Sequence, residues 1–532
     1  SKEKRVLMSG KTFYITTAID YVNGKPHIGH VYEKIASDVI ARHFKQRGDD
    51  VYFLTGSDEH GIKIQKTAQK NNMSPKEFCD SNVVDFQALA QDLNLDYNKY
   101  IRTTDDYHEK AVQKIFQKLL EKGDIYKASY TGLYCSGCEC FLAQKDLTED
   151  GLCPDHMAKP QEVKEENYFF RLSKYKQQII DHINANPDFI LPSYRKNEIL
   201  NQLENIQDIS VSRPKTSVSW GIEVPGDKEQ VIYVWIDALS NYITALGYES
   251  EDDSLFKKYW PANCQMIGKD ILKFHSIYWI GLLLALGVKL PKTIFAHGWI
   301  TIDEKKMSKS LGNVISHKSI LEQYHLESPD ALRYFLMTTT SFGRDGNYSD
   351  EDFKSKVNAD LANNTGNLLN RSLSMLLKYF EGEIKQEFVN DDAKELVDAT
   401  LRAKKKVVEN FDSYMITEAI DEVISLVNLT NKYVNETAPW SLAKDENTLI
   451  DCAKVLYNVA EVMYHVAVLM YPVIPDISQK ILSQLGEEKN IADIKLDDLK
   501  WGMIEPKKII DKASLTPVFL RIDSELAGDK KK

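Results

Sequence analysis

Thr12-Phe13-Tyr14-Ile15-Thr16-Thr17 is β-branched and aromatic and reads as a strand. Beyond the turn residues that follow it, Val31, Ile35, Val39 and Phe44 recur at helical spacing until Gly48, so a helix comes next. No other feature constrains the fold as much, because a strand feeding a helix through a tight turn is the opening of a parallel α/β sheet. The turn between them is Lys25-Pro26-His27-Ile28-Gly29-His30-Val31. Unpaired N–H groups and the helix dipole favour a phosphate there, and Gly29 lets a ligand approach the backbone. Taken alone, H-x-G-H reads equally well as a pair of surface histidines.

A second stretch alters that balance. Lys305-Lys306-Met307-Ser308-Lys309-Ser310 follows Phe295-Ala296-His297-Gly298-Trp299-Ile300, another strand that ends in a loop. Between the two motifs the α/β alternation recurs. Val51–Thr55 is a strand running into Gly56-Ser57-Asp58-Glu59-His60-Gly61, which sets Asp58 at the carboxyl end of a sheet, either as a helix N-cap or as a ligand group. Ala111–Lys122 reads as a helix broken by Gly123-Asp124. Val231-Ile232-Tyr233-Val234-Trp235-Ile236-Asp237-Ala238 reads as one strand, followed by Met266-Ile267-Gly268-Lys269-Asp270 and His275.

At 532 residues the chain is too long for one core. The expected division is a Rossmann-like half-domain over 11–129, an insertion over 130–225, and a second half of the same domain over 226–304. A segment that holds the Lys/Ser loop follows over 305–355, then a helical domain over 356–525. Amphipathic periods carry the helical domain: Val357, Leu361, Leu368, Leu376 and Phe380; Ile416, Ile420, Val423 and Val427; Leu449, Ala453, Leu456, Ala460 and Met463. Sheet and bundle are expected to be separate cores joined by the segment from about Lys306 to Asp350. The net charge of −11 argues against indiscriminate nucleic-acid binding, so any RNA contact must come from local patches. Ser1-Lys2-Glu3-Lys4-Arg5 is charged and shows no signal core, and the apolar run Ile277–Val288 is too short to span a bilayer. The expected setting is therefore the cytoplasm, with no membrane partner.

Four of the seven cysteines crowd between Cys135 and Cys153. Cys135-Ser136-Gly137-Cys138 and Cys153-Pro154-Asp155-His156 are two hooks that supply four N/S ligands, enough for a closed tetrahedral zinc site. With no open position such a zinc is structural, stapling a loop-rich module. Cys140 is the spare thiol.

The H-x-G-H and K-M-S-K-S stretches, in this order and this far apart, resemble the HIGH and KMSKS motifs of class I aminoacyl-tRNA synthetases. Smaller matches narrow the resemblance to the methionyl-tRNA synthetase family over nearly the whole chain. Ala18, Tyr21, Asn23, Gly24, His27 and His30 match that family's opening; Tyr-Val-Trp-x-Asp-Ala, Gly-Lys-Asp and Ala438-Pro439-Trp440 match its later motifs. The resemblance implies ATP-dependent ligation of L-methionine to tRNA(Met) through a methionyl-adenylate. It implies that Ile19, Tyr21, Trp235, Ala238, Tyr242 and His297 line the methionine pocket and that Asp58 holds the ammonium. ATP would meet His27, Gly29, His30, Gly268, Asp270 and Lys309, with Mg²⁺, and His27, His30, Lys306 and Lys309 would be catalytic. Asn367, Arg371 and Trp440 would read the CAU anticodon, while other residues meet the acceptor stem. The zinc pattern resembles the single-knuckle form. Many relatives have proline where this chain has Asp20, which puts the entry to the pocket in question. No appended dimerisation domain is visible, so a monomer is expected.

The residue types suit that chemistry. A carboxylate nucleophile needs no general base; it needs in-line placement at the α-phosphorus and cancellation of phosphate charge. A thioether pocket should be aromatic and polarizable. Ligases for isoleucine, valine or leucine carry a large editing insertion that 130–225 is too short to hold. The cysteine ligase places a zinc-binding Cys before the HIGH stretch, and here no Cys precedes Cys79. A small nucleotidyltransferase lacks the bundle, and an inactive tRNA-binding scaffold would not retain both motifs.

Overall fold

The computed structural model describes residues 11–308 and 311–523. Thr12–Thr17 forms the expected strand, and it lies inside a seven-stranded sheet. From one edge the order is Asp20–Tyr21, Asp50–Asp58, Thr12–Thr17, Cys264–Gly268, Ile294–His297 and Ile190–Leu191, with Lys99–Arg102 also pairing Asp50–Asp58. Every pairing is parallel. The chain turns one way to Asp50–Asp58 and the other way to Cys264–Gly268, so Thr12–Thr17 is at the switch point where open α/β sheets bind ligands. The strand ends there carry Asp58, Gly268 and His297. Asp58 closes its strand and is not a helix N-cap.

The helix after the first strand spans Ile28–Gln46 and buries Val31, Ile35 and Val39, as the spacing requires. The Val231–Ala238 run departs from its expected form. The strand is Asp227–Ile232, and a helix, Val234–Thr244, begins two residues later. Trp235, Ile236, Leu239, Tyr242 and Ile243 are all buried on it. A short apolar run has no polar alternation to distinguish a strand from a buried helix, which is why the period misleads here.

The insertion also has different edges. Its long hairpin strand starts at Ile125 and pairs antiparallel with Gln161–Phe170 and Cys140–Leu142. Ile190–Leu191, expected within the insertion, is the edge strand of the catalytic sheet. The chain therefore visits the catalytic sheet at Ile190–Leu191 and then rejoins the insertion sheet at Ile209–Ser210, which pairs with Gln161–Phe170.

After Ser349 the described structure is dominated by helices. Asp350–Val357, a π-turn segment Asn358–Gly366 and Asn367–Phe380 follow one another directly, then Lys394–Asp412, Ile416–Thr437, Leu449–Met470 and Pro475–Gln484. Leu449–Met470 is long and apolar enough to cross a membrane, but 94% of its apolar window is buried inside the bundle. The expectation of two separate cores is overturned. One continuous apolar cluster runs from Phe13, Ile35 and Val39 through Leu332 and Phe335 to Leu456 and Val468. Polar ties reinforce it: Gln46 donates to the Val468 carbonyl at 2.8 Å, and His43 pairs with Asp412 at 2.7 Å. A helix buried on both sides can share its apolar surface with two domains, which the linear pattern cannot reveal.

Candidate functional site

His27 caps the Ile28–Gln46 helix. Its Nδ1 accepts from the Gly29 N–H at 3.0 Å, and His30 Nδ1 accepts from the His27 N–H at 3.1 Å. A neutral ring that accepts at Nδ1 carries its proton on Nε2, so the capping geometry sets both tautomers. Burial, with Lys34 adding to it, lowers the His30 pKa to about 3, so this ring is neutral at physiological pH. The two rings lie 4.0 Å apart between centroids. Gly29 is required between them, since a Cβ there would come within 2.8 Å of the His27 ring and 3.3 Å of Met307 Cε.

That contact brings the two sequence motifs together. The Ile28 N–H donates to the Ile315 carbonyl at 2.9 Å, which holds the loop after Met307 against the helix start. Lys306 Nζ lies 3.9 Å from the centre of the Trp299 ring, and the Trp299 indole N–H donates to Asp270 at 3.4 Å. Asp270 Oδ1 in turn crowds Gly268, so Lys306, Trp299, Asp270 and Gly268 form one contiguous edge. Lys309 lies outside the described residues.

The proposed amino-acid pocket is on the other side of the switch point. Tyr21 pairs with Asp58 across the sheet edge. Asp58 is 5% exposed, and its Oδ1 has no hydrogen-bond partner among the described residues. Burial, with Asp237 adding to it, raises its pKa well above the ordinary carboxylate value. Tyr242 is 2% exposed; burial raises its hydroxyl, and the facing Glu33 and Asp58 carboxylates raise it further. The Tyr242 hydroxyl donates to His275 Nε2 at 2.6 Å, while His275 Nδ1 donates to the Ile271 carbonyl at 2.9 Å. Burial lowers that histidine to about 4 and keeps it neutral. The Trp235 indole N–H donates to the Ser210 carbonyl at 2.9 Å, fixing its ring beside Tyr278. Ile19 and Ala238 are half-buried.

Several residues that matter here carried no sequence signal. Glu33 Oε1 meets His297 Nε2 at 2.7 Å, and Glu33 Oε2 accepts the Ala18 N–H at 3.0 Å. Burial opposes charge on His297, but Glu33 outweighs it and raises the pKa. Glu33 and Lys34 follow His30 at helical i+3 and i+4, the only hint available. Lys34 forms a buried ion pair with Asp20, so the departure from proline at that position brings its own counter-charge. Beneath Asp58, Asp237 lies between His60 and His108, 2.7 Å from each. Burial works against charge on His60, yet Asp237 raises it to about 10.

The sulfur and imidazole ligands converge. In Cys135, Cys138, Cys153 and His156 the four ligand atoms all lie within 4.8 Å of one another. Cys138 Sγ is 3.5 Å from Cys153 Sγ and 3.1 Å from His156 Nδ1; Cys135 and Cys153 are 3.9 and 3.8 Å from that nitrogen. A tetrahedron built on Zn–S bonds of about 2.3 Å has edges of roughly 3.8 Å, so the set fits zinc. The Cys138 N–H donates to Cys135 Sγ at 3.4 Å, the contact a thiolate favours. Cys140 is not part of the set.

In the bundle, Asn367 and Arg371 are one turn apart on Asn367–Phe380. Arg371 Cζ lies 5.9 Å from the centre of the Trp440 ring, and Arg371 Nε is buried without a partner among the described residues. Trp440 is 38% exposed on the single turn Pro439–Leu442, so it is not core filler.

Comparison with known proteins gives the family. A family described as "tRNA synthetases class I (M)" covers residues 13–162 and 155–373, and "Anticodon-binding domain of tRNA ligase" covers 393–514. A methionine–tRNA ligase of Clostridium tetani is 46% identical over 97% of this chain and 80% of its own length. One from Clostridium perfringens is 48% identical over 90% of this chain and 74% of its own length. The structure of Mycobacterium tuberculosis methionyl-tRNA synthetase bound by methionyl-adenylate superposes with a TM-score of 0.90, at 37% identity, over 96% of this chain and 100% of that one. The free-state structure from the same organism gives 0.84 at 35% identity, over 96% and 98%.

Proposed function

The chain belongs to the class I methionine–tRNA ligases, and from that premise we propose how its residues join L-methionine to tRNA(Met) through a methionyl-adenylate. One observation supports the assignment of the pocket above the rest. Asp58 is a buried carboxylate with an unpartnered oxygen at the carboxyl end of the sheet, facing Tyr242 and level with Tyr21. A buried acceptor of that kind suits a ligand ammonium, and the neighbouring aromatic rings suit a thioether.

In this reading Asp58 holds the methionine ammonium, while Ile19, Tyr21, Trp235, Ala238, Tyr242 and His297 surround the side chain. The methionine carboxylate attacks the α-phosphorus of ATP and pyrophosphate leaves. His27 and His30, as neutral Nε2–H donors, stabilise charge developing on the phosphates, and Lys306 and Lys309 add positive charge from the loop. Gly29, Gly268 and Asp270 border the nucleotide, and Mg²⁺ enters with ATP. The terminal 2′-OH of tRNA then attacks the acyl-adenylate carbonyl and AMP leaves. The direct test is a panel of amino-acid-dependent ATP–pyrophosphate exchange reactions. Exchange supported by methionine alone is expected, and exchange supported by another amino acid but not by methionine overturns the reading.

Zinc at Cys135, Cys138, Cys153 and His156 would cross-link the two hooks of the insertion. About one zinc per chain is expected after chelator washing, unchanged in Cys140→Ser. Metal-free protein of full activity contradicts this.

Asn367, Arg371 and Trp440 are assigned to the anticodon. An exposed indole beside an arginine with an unsatisfied donor suits an unstacked base, by stacking and hydrogen bonding. Trp440→Ala is expected to weaken tRNA binding by about ten- to a hundredfold, the loss of ~1–3 kcal/mol for one stacked base. Pyrophosphate exchange should be unchanged, since it uses only the sheet end. Normal charging by folded Trp440→Ala, with altered anticodons still rejected, returns Trp440 to a structural role. A monomer working in the cytoplasm is the form we expect.

A further inference from the structure

Glu139 lies between Cys138 and Cys140 in a turn that the sequence presents as a solvent-facing loop. It is nevertheless only 5% exposed, and its backbone takes a left-handed φ of 50°. The carboxylate points away from the hook and into the catalytic half. Oε1 accepts the Lys63 N–H at 3.2 Å, and Oε2 accepts the Tyr21 hydroxyl. The Glu139 carbonyl accepts the Tyr233 hydroxyl.

These three donors belong to three walls of one pocket. Tyr21 is on the short edge strand paired with Asp58. Lys63 is in the first turn of Ile62–Lys70, the helix that follows the Asp58–Gly61 loop. Tyr233 caps the helix that carries Trp235, Ala238 and Tyr242. Ile62–Lys70 has no side-chain cap of its own and no acidic residue in its first turn. Glu139 supplies both from another module, where an anion is favoured by the helix dipole. The approach is close enough to need Gly61, because a Cβ there would lie 2.9 Å from Glu139 Oε1.

We propose that Glu139 is a positioning residue that braces the methionine pocket from the metal-binding hook, holding the Tyr21 ring and the Asp58 loop for the amino acid. The inference rests on the pocket assigned above. It gives the cysteine–histidine cluster a second task beyond stapling its own module: it sets the point from which Glu139 reaches Tyr21. ATP binds on the other side of the switch point and should not be affected.

The test uses the zinc-loaded protein, three single variants and one double variant. Zinc content is measured by mass spectrometry, methionine affinity by intrinsic fluorescence, and KM for methionine and ATP by pyrophosphate exchange. Glu139→Ala is expected to keep its zinc and to weaken methionine binding by about tenfold or more, as for one buried charge-assisted hydrogen bond lost. Its KM for ATP should stay within about twofold of wild type, inside the scatter of unrelated surface changes. Glu139→Gln should recover most of the affinity, since an amide oxygen still accepts from Lys63 and its NH₂ can donate to the Tyr21 oxygen. Tyr21→Phe should show part of the same loss, and Glu139→Ala should add little to it in the double variant. Methionine affinity unchanged in Glu139→Ala overturns the proposal, as does a parallel loss of ATP and methionine affinity. If Glu139→Ala sheds its zinc, Tyr21→Phe decides: wild-type methionine affinity in that variant is equally fatal. Failure of the wild-type protein to bind methionine would instead refute the pocket itself.

Discussion

Asp58→Asn should bind methionine ~10²–10³-fold more weakly, because removing one member of a buried hydrogen-bonded charge pair costs ~2–5 kcal/mol. The same variant should be more stable than wild type in the absence of ligand. Asp58 is buried, one of its oxygens is unpartnered, and its pKa is raised by burial and by Asp237. A carboxyl whose pKa is higher in the folded than in the unfolded chain costs stability once the pH exceeds the unfolded value near 4, and the cost grows until the folded value is passed. Asparagine carries no charge, and its carbonyl can keep the backbone hydrogen bond from His60 that the carboxylate accepts. The gain should be ~1–3 kcal/mol at neutral pH, the usual cost of an unsatisfied buried polar group, and should vanish below about pH 4. Denaturant titrations at pH 4 and pH 7.5, beside methionine titrations, measure both halves. A variant that loses affinity and stability together would mean that Asp58 is a structural residue with an internal partner. Opposite signs are what a site preorganised for a cation requires.

Arg333→Met should remove ~3–5 kcal/mol of stability, the range for breaking a buried ion pair. Arg333 is fully buried on Asp330–Thr338. Its Nη2 donates to Asp38 at 2.7 Å and to the Pro472 carbonyl at 2.8 Å, its Nε to Val473 at 2.9 Å, and its Nη1 to Leu93 at 3.1 Å. Asp38 is on the same helix as His30, and Pro472 and Val473 lie in the turn between the bundle helices Leu449–Met470 and Pro475–Gln484. One guanidinium thus ties the H-x-G-H helix to the helical bundle. Methionine fills the space of the aliphatic stem but leaves the Leu93, Pro472 and Val473 carbonyls without this donor. Burial opposes ionisation of Asp38, but Arg42 and Arg333 outweigh it and lower its pKa. That contribution is present above the unfolded pKa and is lost as the pH falls through the depressed one, so Arg333→Met should also flatten the acid limb of the stability profile. Because bundle and sheet share a core, charging of tRNA should fall more than pyrophosphate exchange. An unmoved denaturation midpoint would show that the apolar cluster alone joins the two halves.

Much of the candidate site was legible from the chain alone, because it depends on local motifs. His27, Gly29 and His30 are close in sequence, and a strand–turn–helix determines how they are displayed. The two cysteine hooks likewise announce four candidate ligands, and the Asn367–Arg371 pair needs only a helix to share a face. Fold class followed from periodicity for the same reason. Tertiary structure decided whatever depends on a partner distant along the chain. Val231–Ala238 became a strand followed by a helix because burial on all sides erases the alternation that separates the two. Ile190–Leu191 joined the catalytic sheet because strand pairing is set by a neighbour a hundred residues away, Ile294–His297. Glu33, Asp237, Arg333 and Glu139 are charged residues that a linear reading sends to solvent. Each is buried because the fold supplies a counter-charge or a donor: His297 for Glu33, two histidines for Asp237, Asp38 for Arg333, and Tyr21 with the Lys63 N–H for Glu139. The cost of burying a charge is the same at every position in a sequence; only the three-dimensional arrangement determines where it is compensated.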